Sequence, residues 1–266
     1  QVDIGGPTMM RSAAKNFESV AVLSDPADYP RAIEELRKGK GSFSLEFRKY
    51  LALNVFRHTA AYDREIARYL SRQFEAEDGL PKIFDDVFEH AQDLRYGENP
   101  HQRSALYQNL SKASRFQFKQ FHGKELSYNN VLDFEAAVDV LREFREPAAC
   151  VIKHNNPSGI AADPKVSVAL TNAIEGDPLS AFGGIVGVNR VCDGRVAKAA
   201  IETLSFFELM IAPRYTPEAI AILKSRKNLR IIQVEGLEDL EPYEFRVIKA
   251  GLLLQDRDGP IWKHEA

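Results

Sequence analysis

Four short runs, AACVIKH (148–154), GGIVGVN (183–189), ELMIAP (208–213) and LRIIQV (229–234), are apolar at successive positions. A strand of that kind has to be covered on both faces, which places it inside a layered structure. Amphipathic stretches separate the runs: SVALTNAIEGD, VAKAAIETLSF and TPEAIAILKSR, the last with Thr216 as helix N-cap and Pro217 at the first helical position. Upstream, QRSALYQ reads as a strand and VLDFEAAVDVLREF (131–144) as an amphipathic helix. This alternation predicts an α/β protein of layered sheets with flanking helices, with LRIIQV as its last strand.

The amino-terminal third follows the same rule less regularly. QVDIGG reads as a strand ended by a glycine turn, PTMMRSAAKNF as a helix opened by Pro7, and SVAVLSD (19–25) as a buried strand before the helix of PADYPRAIEELRKG. From Phe47 to Leu70, apolar residues recur at helical spacing, as in one long amphipathic helix or two in line. The stretch FEAEDGLPKIF (74–84), with acidic residues, Gly79 and Pro81, marks a domain boundary near residue 88.

Composition excludes several classes. With 266 residues, 44% of them hydrophobic, the chain can bury a sizeable core, and a net charge of -3 offers no basic field for nucleic acid. No apolar run is long enough to span a membrane. Cys150 and Cys192 are too few for a disulfide framework and read as buried free thiols in a reducing, cytoplasmic setting. The six histidines are scattered, no CxxC occurs, and neither a P-loop, a GxGxxG fingerprint nor a Gly-x-Ser-x-Gly elbow is present. No metal site is expected.

Chemistry concentrates in CVIKHNNPSGIA (150–161). An apolar strand there runs into Lys153 and His154 and then into turn residues. Strand ends of open α/β sheets face ligand crevices, and a turn would let both side chains reach one ligand. A histidine can accept a proton near neutral pH and a lysine can stabilise developing negative charge. By spacing alone, an idle, solvated strand end is an equal alternative. In DLRYGENPHQ (93–102), Arg95 suits a phosphate and Tyr96 a flat heterocycle, and an ordinary interdomain loop is the competing reading. In DPLSAFGGIVG (177–187) a glycine pair admits close backbone approach or merely a tight connection. In GKELSYNNVLDF (123–134), Lys124, Ser127, Asn129 and Asn130 hold an anion or simply cap a helix.

Taken in order, VDIGGPTMMRSAAKN, RYGENPHQ, GKELSYNN, KHNNPSG, DPLSAFGGIV and IAP resemble the bifunctional AICAR formyltransferase/IMP cyclohydrolase family of purine biosynthesis. The resemblance covers nearly the whole chain. It implies the C-terminal part of a methylglyoxal-synthase-like cyclohydrolase domain over 1–88. The first part of a cytidine-deaminase-like transformylase region, without zinc, follows over 89–266. It implies formyl transfer from 10-formyltetrahydrofolate to AICAR, closure of FAICAR to IMP, no metal in the chemistry, and a homodimer. Carried onto matching positions, it makes His154 the proton acceptor and Lys153 its catalytic neighbour. Arg95, Tyr96, Gly183 and Glu208 become AICAR contacts, Asp3 and Ile4 nucleotide contacts, and Lys15 the acid/base lysine of ring closure. Both ends are expected to be cuts, so that the segment alone catalyses neither step. The alternative is a truncated, non-catalytic nucleotide-binding or scaffold product.

Overall fold

The computed structural model of the chain describes residues 1–75, 79–109, 117–236 and 243–258. They form two compact units, Gln1–Lys82 and Ile83–Ala266. Positions 76–78 of the proposed boundary stretch and the segment 259–266 lie outside the described residues.

The regular secondary structure of the first unit is helical among its described residues. Helix α1 (Gly5–Lys15) is followed by a 3-10 turn (Pro26–Asp28), α2 (Tyr29–Lys38) and α3 (Leu45–Phe74). The long periodic stretch is therefore one helix of 30 residues, started by Ser44, whose hydroxyl accepts the Phe47 N–H. Two sequence readings are corrected here. Neither QVDIGG nor SVAVLSD is a strand. Residues 20–25 run as extended, half-buried chain, with Ala21, Val22 and Leu23 packed against apolar clusters built on α3. Apolar pattern selects burial, and a strand also needs a neighbour for its ladder, which the described residues of this unit do not supply.

The second unit carries the sheet. Its elements are β1 (Phe88–Leu94), β2 (Ser104–Asn109), β3 (Gln117–His122), α4 (Tyr128–Arg142), β4 (Ala148–Lys153), β5 (Asn156–Ala162), α5 (Val166–Glu175), α6 (Pro178–Ala181) and β6 (Ile185–Val188). Then come α7 (Gly194–Thr203), β7 (Leu209–Ala212), α8 (Pro217–Leu223), β8 (Arg230–Glu235), β9 (Tyr243–Ile248) and β10 (Gly251–Asp256). LRIIQV is thus not the last strand, since β9 and β10 pair as an antiparallel hairpin after it. A second antiparallel pair joins β1 to β2.

Six strands form one sheet in the order β3-β8-β7-β6-β4-β5. The fold is mixed α/β, with the sheet covered on both faces. On one face Cys150, Ile152, Ile185, Leu209, Ile211 and Ile232 meet Phe134, Ala137 and Leu141 of α4. On the other, Val151, Val186, Met210 and Ile231 pack among Leu170 and Ile174 of α5, Val196 and Ala200 of α7 and Leu223 of α8. The period of two along β4 sends neighbours to opposite layers. Both thiols are buried and free, and burial pushes each up to about 12, so they behave as small apolar groups.

Direction matters more than order. Strands β6, β7 and β8 are mutually parallel, but β4 runs antiparallel to β6 and pairs on its other side with β5. The carboxyl end of β4 therefore sits beside the amino ends of β6, β7 and β8. PSG in CVIKHNNPSGIA is strand rather than turn. The turn is only His154–Asn155, both at positive φ (54° and 62°), which is the backbone of a type I′ two-residue hairpin.

Strand β5 reaches its helix closely: a Cβ at Gly159 would collide with the carbonyl oxygen of Ala173 in α5. Gly159→Ala is expected to lower unfolding free energy by about 1–3 kcal/mol, read as a lower urea midpoint at unchanged slope.

Candidate active site

The amino-end edge of β6–β8 gathers the residues that the sequence singled out in the second unit. Lys153 ends β4, and its ammonium donates to the carbonyl oxygen of Phe182 at 2.6 Å. His154 follows at the exposed tip of the turn. Its left-handed backbone costs an L-residue about 1–2 kcal/mol, although histidine and asparagine tolerate it better than most. Neighbouring groups hold it there. The Asn155 N–H donates to Asp133 Oδ1 at 2.7 Å, and the Asn156 amide donates to the His154 carbonyl at 2.8 Å.

Gly183 lies between α6 and β6 at φ 76°, a conformation glycine adopts without strain. Its N–H donates to the carbonyl of Phe206 at 2.9 Å. Phe182 and Phe206 form a ring pair with centroids 5.4 Å apart, yet stay 51% and 46% exposed. Together with Lys153 they give the edge an apolar shelf beside a cation.

Glu208 precedes β7. Its Oε2 accepts from the Asn130 amide at 3.0 Å and from the Arg230 guanidinium at 3.4 Å. Arg230, the first residue of β8, is only 4% exposed and donates its Nε–H to the Glu125 carbonyl at 3.1 Å. Burial draws the Arg230 guanidinium below its ordinary range. The Glu208 carboxylate opposes that shift and the nearby Arg95 charge adds to it.

Arg95 is anchored by its backbone, whose N–H donates to the Leu126 carbonyl at 2.9 Å. Its guanidinium lies over the Tyr96 ring at 5.2 Å, a cation–π contact that leaves the fork facing outward. The Tyr96 carbonyl accepts from Ser104 Oγ at 2.8 Å and from the Tyr128 N–H at 3.1 Å. The loop after it is tied to itself through Gln102, whose carbonyl accepts the Gly97 N–H and whose side chain accepts the Asn99 N–H. Ser127 and Asn130 form a reciprocal capping box at the start of α4. Capping thus accounts for both, while the Asn130 amide also serves Glu208.

Arg95, Tyr96, Lys153, His154, Gly183 and Glu208 thus share one edge. Asp133 and Arg230 are there too, and neither stood out in the sequence. Arg230 left a signal, a charge inside the otherwise apolar LRIIQV. Asp133 left a fainter one, a polar residue one turn beyond the Asn130 cap.

The first unit holds Asp3, Ile4 and Lys15. Asp3 sits in extended chain just before α1, its N–H donating to the Tyr62 hydroxyl at 2.7 Å and its Oδ1 accepting the Gly6 N–H at 3.2 Å. Ile4 is exposed and its carbonyl accepts the Thr8 hydroxyl at 2.7 Å. Lys15 closes the same helix. At ~1.5 Å per residue, the length of α1 separates it from Asp3 and Ile4. Among the described residues no group of three or more His, Cys, Asp or Glu is arranged to hold a metal ion, and no described helix is long and apolar enough to cross a membrane.

Glu208 depends on its buried cation. Arg230→Gln is expected to destabilise the second unit by about 1–3 kcal/mol, because it strips the partner from a carboxylate that is still 43% exposed. Differential scanning calorimetry would register this as a lower transition temperature.

Comparison with known proteins agrees with this arrangement of motifs. The bifunctional purine biosynthesis protein PurH of Thermoanaerobacter sp. is 46% identical over 259 residues, covering 97% of this chain and 50% of that protein. The proteins of the same name from Acidithiobacillus ferrooxidans and Bacillus subtilis are each 44% identical, over 263 and 260 residues, with the same 97% and 50% coverage. The chain thus spans about half the length of the curated relatives it matches. The profile described as AICARFT/IMPCHase bienzyme matches residues 13–266, and the chain belongs to that family.

Proposed function

We propose that this chain is part of an enzyme of the last two steps to IMP. Residues 89–266 would belong to its AICAR formyltransferase region and residues 1–88 to its IMP cyclohydrolase domain. The family match and the gathering of Arg95, Tyr96, Lys153, His154, Gly183 and Glu208 on one edge support the reading. The observation that carries it is His154 itself, an exposed residue at the tip of a pinned turn that follows Lys153 directly in sequence.

The 5-amino group of AICAR is a poor nucleophile, because its lone pair is delocalised into the imidazole ring and carboxamide. As its nitrogen attacks the formyl carbon of 10-formyltetrahydrofolate, His154 takes the amine proton, which is worth ~10²–10⁴-fold in rate. Negative charge grows on the formyl oxygen, and a cationic donor such as Lys153 stabilises it. When the carbon–N10 bond breaks, the proton passes to the departing tetrahydrofolate nitrogen and the formyl group stays on the amine. Arg95 suits the phosphate of the nucleotide, and Tyr96, Gly183 and Glu208 its ring and polar substituents. The exposed Phe182–Phe206 pair fits the flat ring of the folate cosubstrate.

In the cyclohydrolase part, Asp3 and Ile4 would bind the nucleotide and Lys15 would move a proton in ring closure. The whole enzyme would act as a cytoplasmic homodimer, with sites completed by residues beyond this segment. A scaffold that merely binds nucleotide would have no use for an imidazole held at a left-handed tip.

In the full-length enzyme carrying this sequence, His154→Ala is expected to lower formyl transfer to AICAR by at least ~100-fold. Ring closure of supplied FAICAR, followed separately by absorbance, should stay within ~3-fold. Equal loss of both activities would mean that His154 holds the fold rather than the proton.

A further inference from the structure

The turn that carries His154 is gripped from below. Asp133 lies on the second turn of α4, and its carboxylate accepts the Asn155 N–H at 2.7 Å. Asn155 is the second of the two consecutive left-handed residues of the turn, so the bond holds the turn where it closes. Asp133 also faces the imidazole charge of His154 and, across the edge, the carboxylate of Glu208. The grip is costly to maintain. Half-burial pushes the Asp133 carboxyl above its ordinary range, and the Asn155 amide and His154 pull it back.

We propose that Asp133 is a positioning residue for formyl transfer: by clamping the Asn155 amide of the turn from α4, it fixes the left-handed backbone that aims His154 at the substrate amine.

Three features support the assignment. The type I′ turn has no glycine, so its conformation is the strained one for both residues and needs an outside hold. The holds on its other parts, Lys153 on Phe182 and Asn156 on the His154 carbonyl, fix the strand end and the peptide oxygen but not the Asn155 amide. Asp133 is also anchored from a different layer, through a helix that begins with a reciprocal capping box and packs Phe134, Ala137 and Leu141 into the core. The clamp therefore ties the turn to a helix packed into the core of the unit.

The inference rests on the formyltransferase reading, and the test separates the two. In the full-length enzyme, Asp133→Ala, Asp133→Asn and His154→Ala are compared by kcat and KM for formyl transfer, by ring closure of supplied FAICAR, and by thermal unfolding. A misaimed base loses rate rather than affinity, and displacement of about 1 Å costs on the order of 10²-fold. Asp133→Ala is thus expected to lower kcat ~10–100-fold with KM for AICAR within ~3-fold and ring closure unchanged. Asp133→Asn keeps an oxygen acceptor for the Asn155 amide and should recover at least ~10-fold of that loss. If Asp133→Ala keeps near-native kcat while His154→Ala is inactive, the positioning role is overturned and the formyltransferase reading stands. A loss in Asp133→Ala spread equally over kcat, KM and unfolding temperature, without recovery in Asp133→Asn, overturns it in favour of a structural role. Native rates in His154→Ala would overturn the functional reading itself.

Discussion

Strand β4 is paired on both edges and buried on both faces, and it runs against the direction of β6, β7 and β8. That reversal decides where everything else stands. Because β4 arrives at the edge where the three parallel strands begin, its terminal Lys153 and the turn after it meet Gly183, Glu208 and Arg230, each of which lies at or just before a strand start. A parallel β4 would have carried the same residues to the opposite edge, away from all three. The reversal also permits the shortest possible return. Two residues close the β4–β5 hairpin, whereas a parallel neighbour would have needed a crossover of a dozen residues or more.

Around that edge, charge is arranged in linked pairs. Glu208 sits between the Asn130 amide and the Arg230 guanidinium, while Asp133 sits beneath the Asn155 amide and near His154. The two carboxylates repel each other, and each is held by donors from a different element. Burial alone would disfavour Arg230 as an ion, and Glu208 offsets that penalty only in part. The edge is therefore electrostatically stiff: moving one of these groups changes the field on the next.

The fold was largely legible because β4, β6, β7 and β8 are apolar at successive positions and the helices between them announce their caps, as Thr216 and Pro217 do for α8. Strand direction was not legible, since periodicity carries no sign. Nor was β5, because NNPSG is rich in turn formers and only pairing with β4 makes it a strand. In the first unit, SVAVLSD has the composition of a strand but lies against helices, where apolar residues are buried without a ladder. The candidate residues were singled out through ordered motifs, while Asp133 and Arg230 stayed hidden. A lone carboxylate on a helix and a lone arginine in a strand are common, and only the fold shows what each one touches.

The direction of β4 has one more consequence. In most open α/β sheets, bound anions sit where strands end and helices begin, so aligned peptide dipoles supply the positive field. Here α7 and α8 follow the far ends of β6 and β7, so their amino termini open on the other edge. Helix α4 begins at this edge, and its capping box already occupies some of its first backbone donors. The positive charge at this edge is thus carried by side chains, Arg95 and Lys153 among them. A field made of side chains can be retuned one residue at a time without disturbing the fold, whereas a field made of backbone could not.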